Sequence, residues 1–550
     1  MAAAVARPAP TITDMTVAEA ILRTLTGAGV DTAFGLPGVH NLAFWEAVGA
    51  GIPEIIGTRH EQTTVYAADG MARAGGGLGV SLTTTGPGAA NALAAFGEAA
   101  ASGSPVLLIA SDTSTRIARA GVVRGGLHES ADQAAMFETF AKSVHRPPTA
   151  AEAVEAVARG AETAMQWPRG PVYVGIPNDL LRQPAEPLGV ASPDRLPPRA
   201  EDLGAALDLI ARAGAIVLWI GGGVVQSDAC EEVTRLARRL GAPLIATWAA
   251  RGAVAPGSPW LIDLPPHEPE ITELIAAADL MIAVGTAFDG PSTMNWKLPL
   301  PEHLITINAD PIDAAKNYPA SVALVADARE AIRALADGVA ARVGDPSRVR
   351  ELCARVRRRI ATDALTRDAW RFVAAIDDVV ARRDPVMVND MAIPGYWAAG
   401  YARVSAPRRM QYPVGWGTLG YALPAALGVG ALRERPALAI CGDGGFMFAL
   451  GELATLRQHQ LPVTVLLVDD GGYGMLRFDQ TLAGEPHRGV DLVRPDFPAL
   501  ARAFGIECRR ADLPGLGAAV DEALAAGAPR MVLLEHGLHP PISVSARWPR

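Results

Sequence analysis

Cysteine is scarce in this chain: 550 residues carry four, at Cys230, Cys353, Cys441 and Cys508. They make no CxxC pair and no ladder of regular spacing, which excludes a disulfide-stapled scaffold and suits a reducing cytoplasm. Long apolar runs are missing as well. No window reaches 18 uninterrupted apolar residues, and even residues 207–225 are broken by Asp208 and Arg212, so no membrane span is expected. Basic surplus is absent too. The formal net charge of −9 argues against a nucleic-acid or anionic-membrane surface. Residues 1–10 lack a basic segment leading into an apolar one and read as a frayed arm rather than a signal.

What is present is an α/β composition rich in tight turns: half the residues are apolar, 19% are charged and glycine totals 56. The length is too great for one core. Three blocks of alternating strand and helix follow each other, at about 11–183, 201–340 and 367–543. The first has buried strands at 79–84, 106–111 and 172–176. The second has them at 215–220, 280–284 and 304–307. A Pro-rich stretch at 183–198 reads as an exposed linker, and a basic helical segment at 347–360 leads into the third block. This alternation predicts parallel sheets covered on both faces, that is, three doubly wound α/β domains. The outer blocks share a texture, each placing Gly-rich turns after short buried strands.

The most specific pattern lies in the third block. Gly442-Asp443-Gly444 follows an apolar strand at 437–441. Some two dozen residues later Asp469-Asp470-Gly471-Gly472-Tyr473-Gly474 follows a second strand at 463–468, with helical periodicity at 448–459 between them. In a parallel βαβ unit both strands end at one sheet edge, so Asp443 and Asp470 converge there. Two hard oxygen ligands beside glycine-lined backbone suit a Mg²⁺ that also carries a phosphate.

With that pair of turns the sequence resembles the thiamine-diphosphate enzymes of the acetolactate synthase and 2-oxo acid decarboxylase superfamily. Their signature is GDG, about two dozen residues, then Asn-Asn. The resemblance implies that Asp443, the Asp470 side chain and the Gly472 carbonyl hold Mg²⁺, which holds the diphosphate. Gly442, Gly444, Gly445 and Tyr473 line the same turns. One departure stands out: Asp469-Asp470 replaces the usual Asn-Asn. Oxygen ligation survives, but the added negative charge weakens diphosphate binding unless nearby donors compensate.

Further segments match in the family's order. Thr58-Arg59-His60-Glu61-Gln62 resembles its Arg-His-Glu segment, which implies that Glu61 bonds the aminopyrimidine ring. A carboxylate there favours the imino tautomer that takes the thiazolium C2 proton to give the ylid. Phe34-Gly35-Leu36-Pro37-Gly38-Val39-His40 resembles an FGxPG turn and Thr85-Gly86-Pro87-Gly88 an SGPG turn. Gly38, Gly86 and Gly88 are thus expected where backbone approaches the cofactor. Gly415-Trp416-Gly417-Thr418-Leu419-Gly420 resembles the segment whose bulky apolar residue wedges between the cofactor's rings. This implies that Gly417 and Leu419 bind it. The matches run from residue 34 to residue 480 and imply pyrimidine-binding, central Rossmann-like and diphosphate-binding domains. They also imply a homodimer or homotetramer, since in the family the glutamate and the metal site meet across a subunit interface.

The reaction is less specified. The chain lacks the His-His pair of pyruvate decarboxylases, having Ser111-Asp112-Thr113-Ser114 near that site, and Leu476 replaces their glutamate. Gly126-Leu127-His128-Glu129 and the His40 turn look like those of guanidino-2-oxo acid decarboxylases. His128 or His40 is therefore the candidate proton donor to the enamine. Glu129 and Asp132 are candidates to attract a cationic substrate tail, although loop acids of this kind are usually solvated. The expected activity is Mg²⁺- and thiamine-diphosphate-dependent, non-oxidative decarboxylation of a 2-oxo acid. An acetolactate-synthase-like carboligase and a catalytically silent cofactor-binding protein are the alternatives. FAD, which the synthases carry in the middle domain, is expected at most as a family remnant. Gly221-Gly222-Gly223 lacks the spaced dinucleotide fingerprint, and Ala287 stands where the synthases have arginine.

Overall fold

A computed structural model describes residues 15–119 and 121–541. The expected arm at 1–10 and the outer limits at 11 and 543 lie outside the described residues. Three parallel six-stranded sheets follow one another along the chain. The first contains β1 (Thr32–Gly35), β2 (Glu54–Gly57), β3 (Gly79–Thr83), β4 (Val106–Asp112), β5 (Ser143–His145) and β6 (Val172–Pro177), in spatial order β2-β1-β3-β4-β6-β5. The second contains β7 (Ile216–Ile220), β8 (Leu244–Ala246), β9 (Leu261–Ile262), β10 (Leu280–Val284), β11 (His303–Asn308) and β12 (Val322–Val325), in order β12-β11-β10-β7-β8-β9. The third contains β13 (Val386–Asn389), β14 (Met410–Gln411), β15 (Ala437–Gly442), β16 (Val463–Asp469), β17 (Glu507–Ala511) and β18 (Arg530–Glu535), in order β14-β13-β15-β16-β18-β17.

The central strands are buried throughout and mostly apolar because helices cover both faces. Every residue of β15 and β16 is buried, with no polar alternation. The outer sheets share one strand order, which explains the matching texture of their sequences. In each, the order reverses between two strands whose carboxyl ends diverge: β1 and β3 in the first sheet, β13 and β15 in the third. Doubly wound sheets bind ligands at that crevice. The middle sheet reverses between β7 and β10, where the Gly221–Gly223 turn lies.

Helix starts follow local chemistry. Thr16 and Thr149 each accept a hydrogen bond at 3.3 Å from the amide three residues on, Glu19 and Glu152, a threonine–glutamate spacing suited to capping. Asp327 caps the Ala328–Gly338 helix through the amides of Arg329 and Glu330.

The sheets fall into two compact units. One takes the residues up to Ala72 together with Gly77–Pro193; the other takes Arg73–Gly76 together with the residues from Asp194 on. Within the second unit one apolar cluster runs from Val217 and Trp219 of β7 to Met387 of β13 and Ile440 of β15. Arg251 is fully buried inside it and donates to the carbonyls of Asp263 (3.1 Å), Gly400 (2.5 Å) and Ala402. The Pro-rich stretch after Gln183 has no helix or strand, as expected, but it is not a free linker. Leu188 N donates to Thr24 Oγ1 and Ala191 N to Glu162 Oε1, which ties it along the first unit.

Candidate active site

In the first unit, the turns after β1, β3 and β4 meet the start of a helix. The Gly38 amide donates to Asn41 Oδ1 at 2.7 Å, and Asn41 donates back to the Leu36 carbonyl at 3.1 Å, closing the β1 turn. A Cβ on Gly38 would lie 2.6 Å from Thr84 Oγ1, and one on Gly88 2.6 Å from Thr84 Cγ2. Glycine is therefore what lets the β1 and β3 turns touch. Gly86 has a φ of 68°, and a Cβ there would sit 2.5 Å from the His128 carbonyl. Its amide donates to Gln133 Oε1 at 2.5 Å.

Glu61 is the first residue of the Glu61–Gly75 helix. Its Oε2 accepts from Asn91 Nδ2 at 3.0 Å, and its Oε1 lies 3.3 Å from the Gly88 Cβ position. Gly88, Asn91 and Glu61 thus form one corner. His40 and His128 face each other edge-on with ring centroids 5.2 Å apart. Asn178 Nδ2 is 2.6 Å from His40 Nδ1. With the amide donating, the proton of a neutral His40 ring lies on Nε2. That Nε2 and the Nδ1 of His128 are both buried without a hydrogen-bond partner. Burial, assisted by His128, lowers the pKa of His40.

The second unit carries the acidic turns. Asp443 follows β15, opening a short helix, and Asp470 follows β16. Burial and the charges of Asp470 and Asp469 push Asp443 up to about 7, and burial raises Asp470 as well. Buried carboxylates that repel one another across two turns are a donor set suited to a hard divalent cation. Among the described residues, however, no three His, Cys, Asp or Glu side chains are gathered closely enough to hold a metal alone. Further oxygens, from a backbone carbonyl and a phosphate, would have to complete the shell. The glycines make room for this turn: a Cβ on Gly474 would lie 2.0 Å from Asp470 Oδ2, and one on Gly444 2.6 Å from the Tyr473 ring. Gly442 packs on Ala392 in the same way, and Gly445 on the Asp390 carboxylate. Gly417, with a φ of 71°, turns the segment carrying Leu419, and the neighbouring Trp416 is half exposed.

Four polar residues at these sites escaped the sequence reading: Asn91, Asn178, Gln133 and Asp390. Asp390 follows β13, and one of its oxygens accepts from the amides of Met391 (2.9 Å), Gly420 (3.0 Å) and Tyr421 (3.4 Å). It thereby fixes the Leu419 turn. Asn91 and Gln133 lay within segments already matched, three residues after Gly88 and five after His128, but no role was read for either. Glu129 and Asp132 prove to be engaged. Glu129 Oε2 accepts from the amides of Arg124 and Gly126 in its own loop, and Asp132 pairs with Arg146. Neither is free to receive a cationic tail.

The middle sheet's glycine turn is closed. Gly221 N donates to the Val284 carbonyl at 2.8 Å and Gly223 N to the Gly285 carbonyl at 3.0 Å. A Cβ on Gly221 would lie 2.3 Å from Gly285 O. These glycines let two backbones touch, and the amides that would cradle a dinucleotide's phosphates are spent on the neighbouring strand.

Comparison with known proteins agrees with this arrangement. Residues 15–136 match the N-terminal thiamine pyrophosphate-binding domain of thiamine pyrophosphate enzymes, residues 203–335 their central domain, and residues 390–535 their C-terminal binding domain. The chain is 36% identical to a probable 2-ketoarginine decarboxylase, AruI, of Pseudomonas aeruginosa, over 90% of this chain and 89% of the relative. It is 29% identical to a probable acetolactate synthase large subunit of Methanocaldococcus jannaschii, over 90% and 87%. Identity to the acetolactate synthase isozyme 3 large subunit of Escherichia coli is 27%, over 89% and 88%.

Proposed function

We propose, because this chain belongs to the thiamine pyrophosphate enzymes, that it removes CO₂ from a 2-oxo acid and releases the corresponding aldehyde. The observation that carries this reading is the His40–His128 pair, two half-buried facing rings, each with one buried nitrogen that has no hydrogen-bond partner, beside the Gly86 turn. A decarboxylase must replace the lost carboxylate by a proton at the same carbon. A neutral imidazole is too weak an acid for this, so the donor would be whichever ring of the His40–His128 pair holds the imidazolium proton, and that ring would return to its neutral form on giving the proton up.

The residues fit thiamine diphosphate and Mg²⁺. Glu61 would bond the aminopyrimidine, with Asn91 holding its other oxygen in place. Leu419 would support the bend between the rings, and Asp443, Asp470 and the Gly472 carbonyl would hold Mg²⁺ against the diphosphate. Bound in this way, the cofactor supplies the electron sink that lets a 2-oxo acid lose its carboxylate. FAD is not part of the proposal, since the Gly221 and Gly223 amides are already spent. A homo-oligomer is. The first unit leaves Val39, Val122, Val123 and Leu127 exposed, and the second leaves Phe448, Leu476 and Val493 exposed, the kind of apolar surface that an interface buries.

The test is a panel of 2-oxo acids headed by 2-ketoarginine, the compound in the Pseudomonas relative's name, with products identified by mass spectrometry. Aldehyde and CO₂ are expected. A 2-hydroxyketone or acetohydroxy acid as the main product would replace this reading by the carboligase one, which the acetolactate synthase relatives favour. Glu61→Gln should lower turnover about 10²-fold or more while the cofactor still binds. Unchanged turnover would remove Glu61 from the mechanism.

A further inference from the structure

The second acidic turn carries a carboxylate pair, Asp469-Asp470, where the family pattern has two amides. Its immediate surroundings contain the opposite charge. Asp469 is buried at the end of β16; its Oδ1 accepts from the Gly471 amide at 3.0 Å, and its Oδ2 lies 3.7 Å from Arg494 Nη1. Arg477 covers the turn from the other side. Its Nη1 donates to the Asp470 carbonyl at 3.1 Å, its Nη2 to the Gly471 carbonyl at 3.0 Å, and its Nε to Asp491 Oδ1 at 2.8 Å.

One strap of chain carries Arg494 and holds Arg477, a residue of the Gly474–Leu482 helix, through Asp491. Residues 490–492 run antiparallel to the turn, with Tyr473 N donating to Val490 O at 2.8 Å, Leu492 N donating to Gly471 O at 3.0 Å, and Gly472 paired with Asp491. The contact is so close that a Cβ on Gly472, whose φ is 151°, would lie 2.0 Å from Val490 O. Glycine at 472 is therefore required by the strap. Arg494 thus faces Asp469, and Arg477 lies over the Asp470 and Gly471 carbonyls while paired with Asp491.

We infer that Arg494, carried by the 490–494 strap, and Arg477, held to that strap by Asp491, are positioning residues whose charge offsets the Asp469–Asp470 pair and allows the diphosphate of the cofactor to bind beside it. This rests on the proposed thiamine-diphosphate site. An anionic ligand approaching the Asp469–Asp470 pair is repelled, and a guanidinium 3.7 Å from Asp469 offsets that repulsion locally. The role is electrostatic, so it scales with ligand charge and disappears when the carboxylate does. Its partner on the ligand is the terminal phosphate, not the thiamine rings.

Arg494 is half exposed, so its replacement opens no core, and it is the residue to change first. The full-length chain, stripped of cofactor and resupplied with saturating Mg²⁺, is compared by calorimetry for thiamine diphosphate and for thiamine monophosphate. Arg494→Gln should raise the Kd for the diphosphate about 10-fold, equivalent to about 1.4 kcal/mol, and that for the monophosphate about 3-fold or less. Combining it with Asp469→Asn should return the diphosphate Kd to within about 2-fold of the parent. Equal losses for the two ligands, or a double variant no better than Arg494→Gln, would overturn the inference while leaving the cofactor site standing. A parent chain that binds neither ligand would instead overturn the proposed function on which it rests.

Discussion

Asp390 is fully buried, with one oxygen receiving three backbone amides and the other, Oδ2, without a partner. Burial raises its pKa to about 6, against an ordinary value of 3.8. The folded state therefore prefers the protonated form. Stability from this group is fully present below pH 4 and is lost as pH rises from about 4 to about 6, a cost of the order of 3 kcal/mol above that range. Asp390→Asn keeps an acceptor for Gly420 and Tyr421 and removes the charge. Its melting temperature should exceed the parent's by several degrees at pH 7.5, with the gap closing as pH approaches 4. A gap that does not change with pH would refute the ionisation argument. This residue also shows the limit of sequence reading. Asp443 and Glu61 sit in motifs with fixed neighbours, whereas Asp390 is recognised only through Gly420 and Tyr421, some thirty positions away, and long-range pairing leaves no local signature.

At the scale of elements, buried parallel strands were the most legible feature. Strands expected at 437–441 and 463–468 form at Ala437–Gly442 and Val463–Asp469, because a strand covered on both faces reads as a mostly apolar run. The 490–492 strap was not legible, since it makes few backbone bonds and has no periodicity. The helical segment expected at 448–459 is Leu453–His459, preceded by a 3₁₀ stretch, Met447–Glu452, bent at Ala449. The turn from β16 into the Gly474–Leu482 helix yields a sharp prediction. In Gly474→Ala the new methyl occupies the place of Asp470 Oδ2, so the carboxylate must swing away. The Mg²⁺ concentration for half-maximal activity should rise about 10-fold, and the melting temperature should fall by no more than a few degrees. An unchanged Mg²⁺ requirement would exclude Asp470 as a ligand.

For the whole molecule, two sheets of one strand order and a third of another order serve different ends. The outer sheets reverse strand order where the charged and glycine-rich turns lie, and the middle sheet closes the same crevice glycine against glycine. The second and third sheets share a core that Arg251 ties with three backbone carbonyls. Arg251→Met leaves those carbonyls unpaired and should cost about 3 kcal/mol. Hydrogen exchange should then speed up in β7–β12 and β13–β18 together, with β1–β6 unaffected. Faster exchange confined to the residues around Arg251 would show that the two sheets do not unfold as one.

Trp416 stands half exposed on the turn that leads to Leu419, while Trp219 and Trp397 are sealed in the core. Trp416 is one of ten tryptophans, and Trp296 is equally exposed, so the emission lost in Trp416→Phe isolates a label three residues from the proposed ring-binding Leu419. Indole emission is sensitive to the polarity and stacking around it, so occupancy of the site becomes a spectroscopic signal that needs no dye, no coupled assay and no knowledge of the substrate.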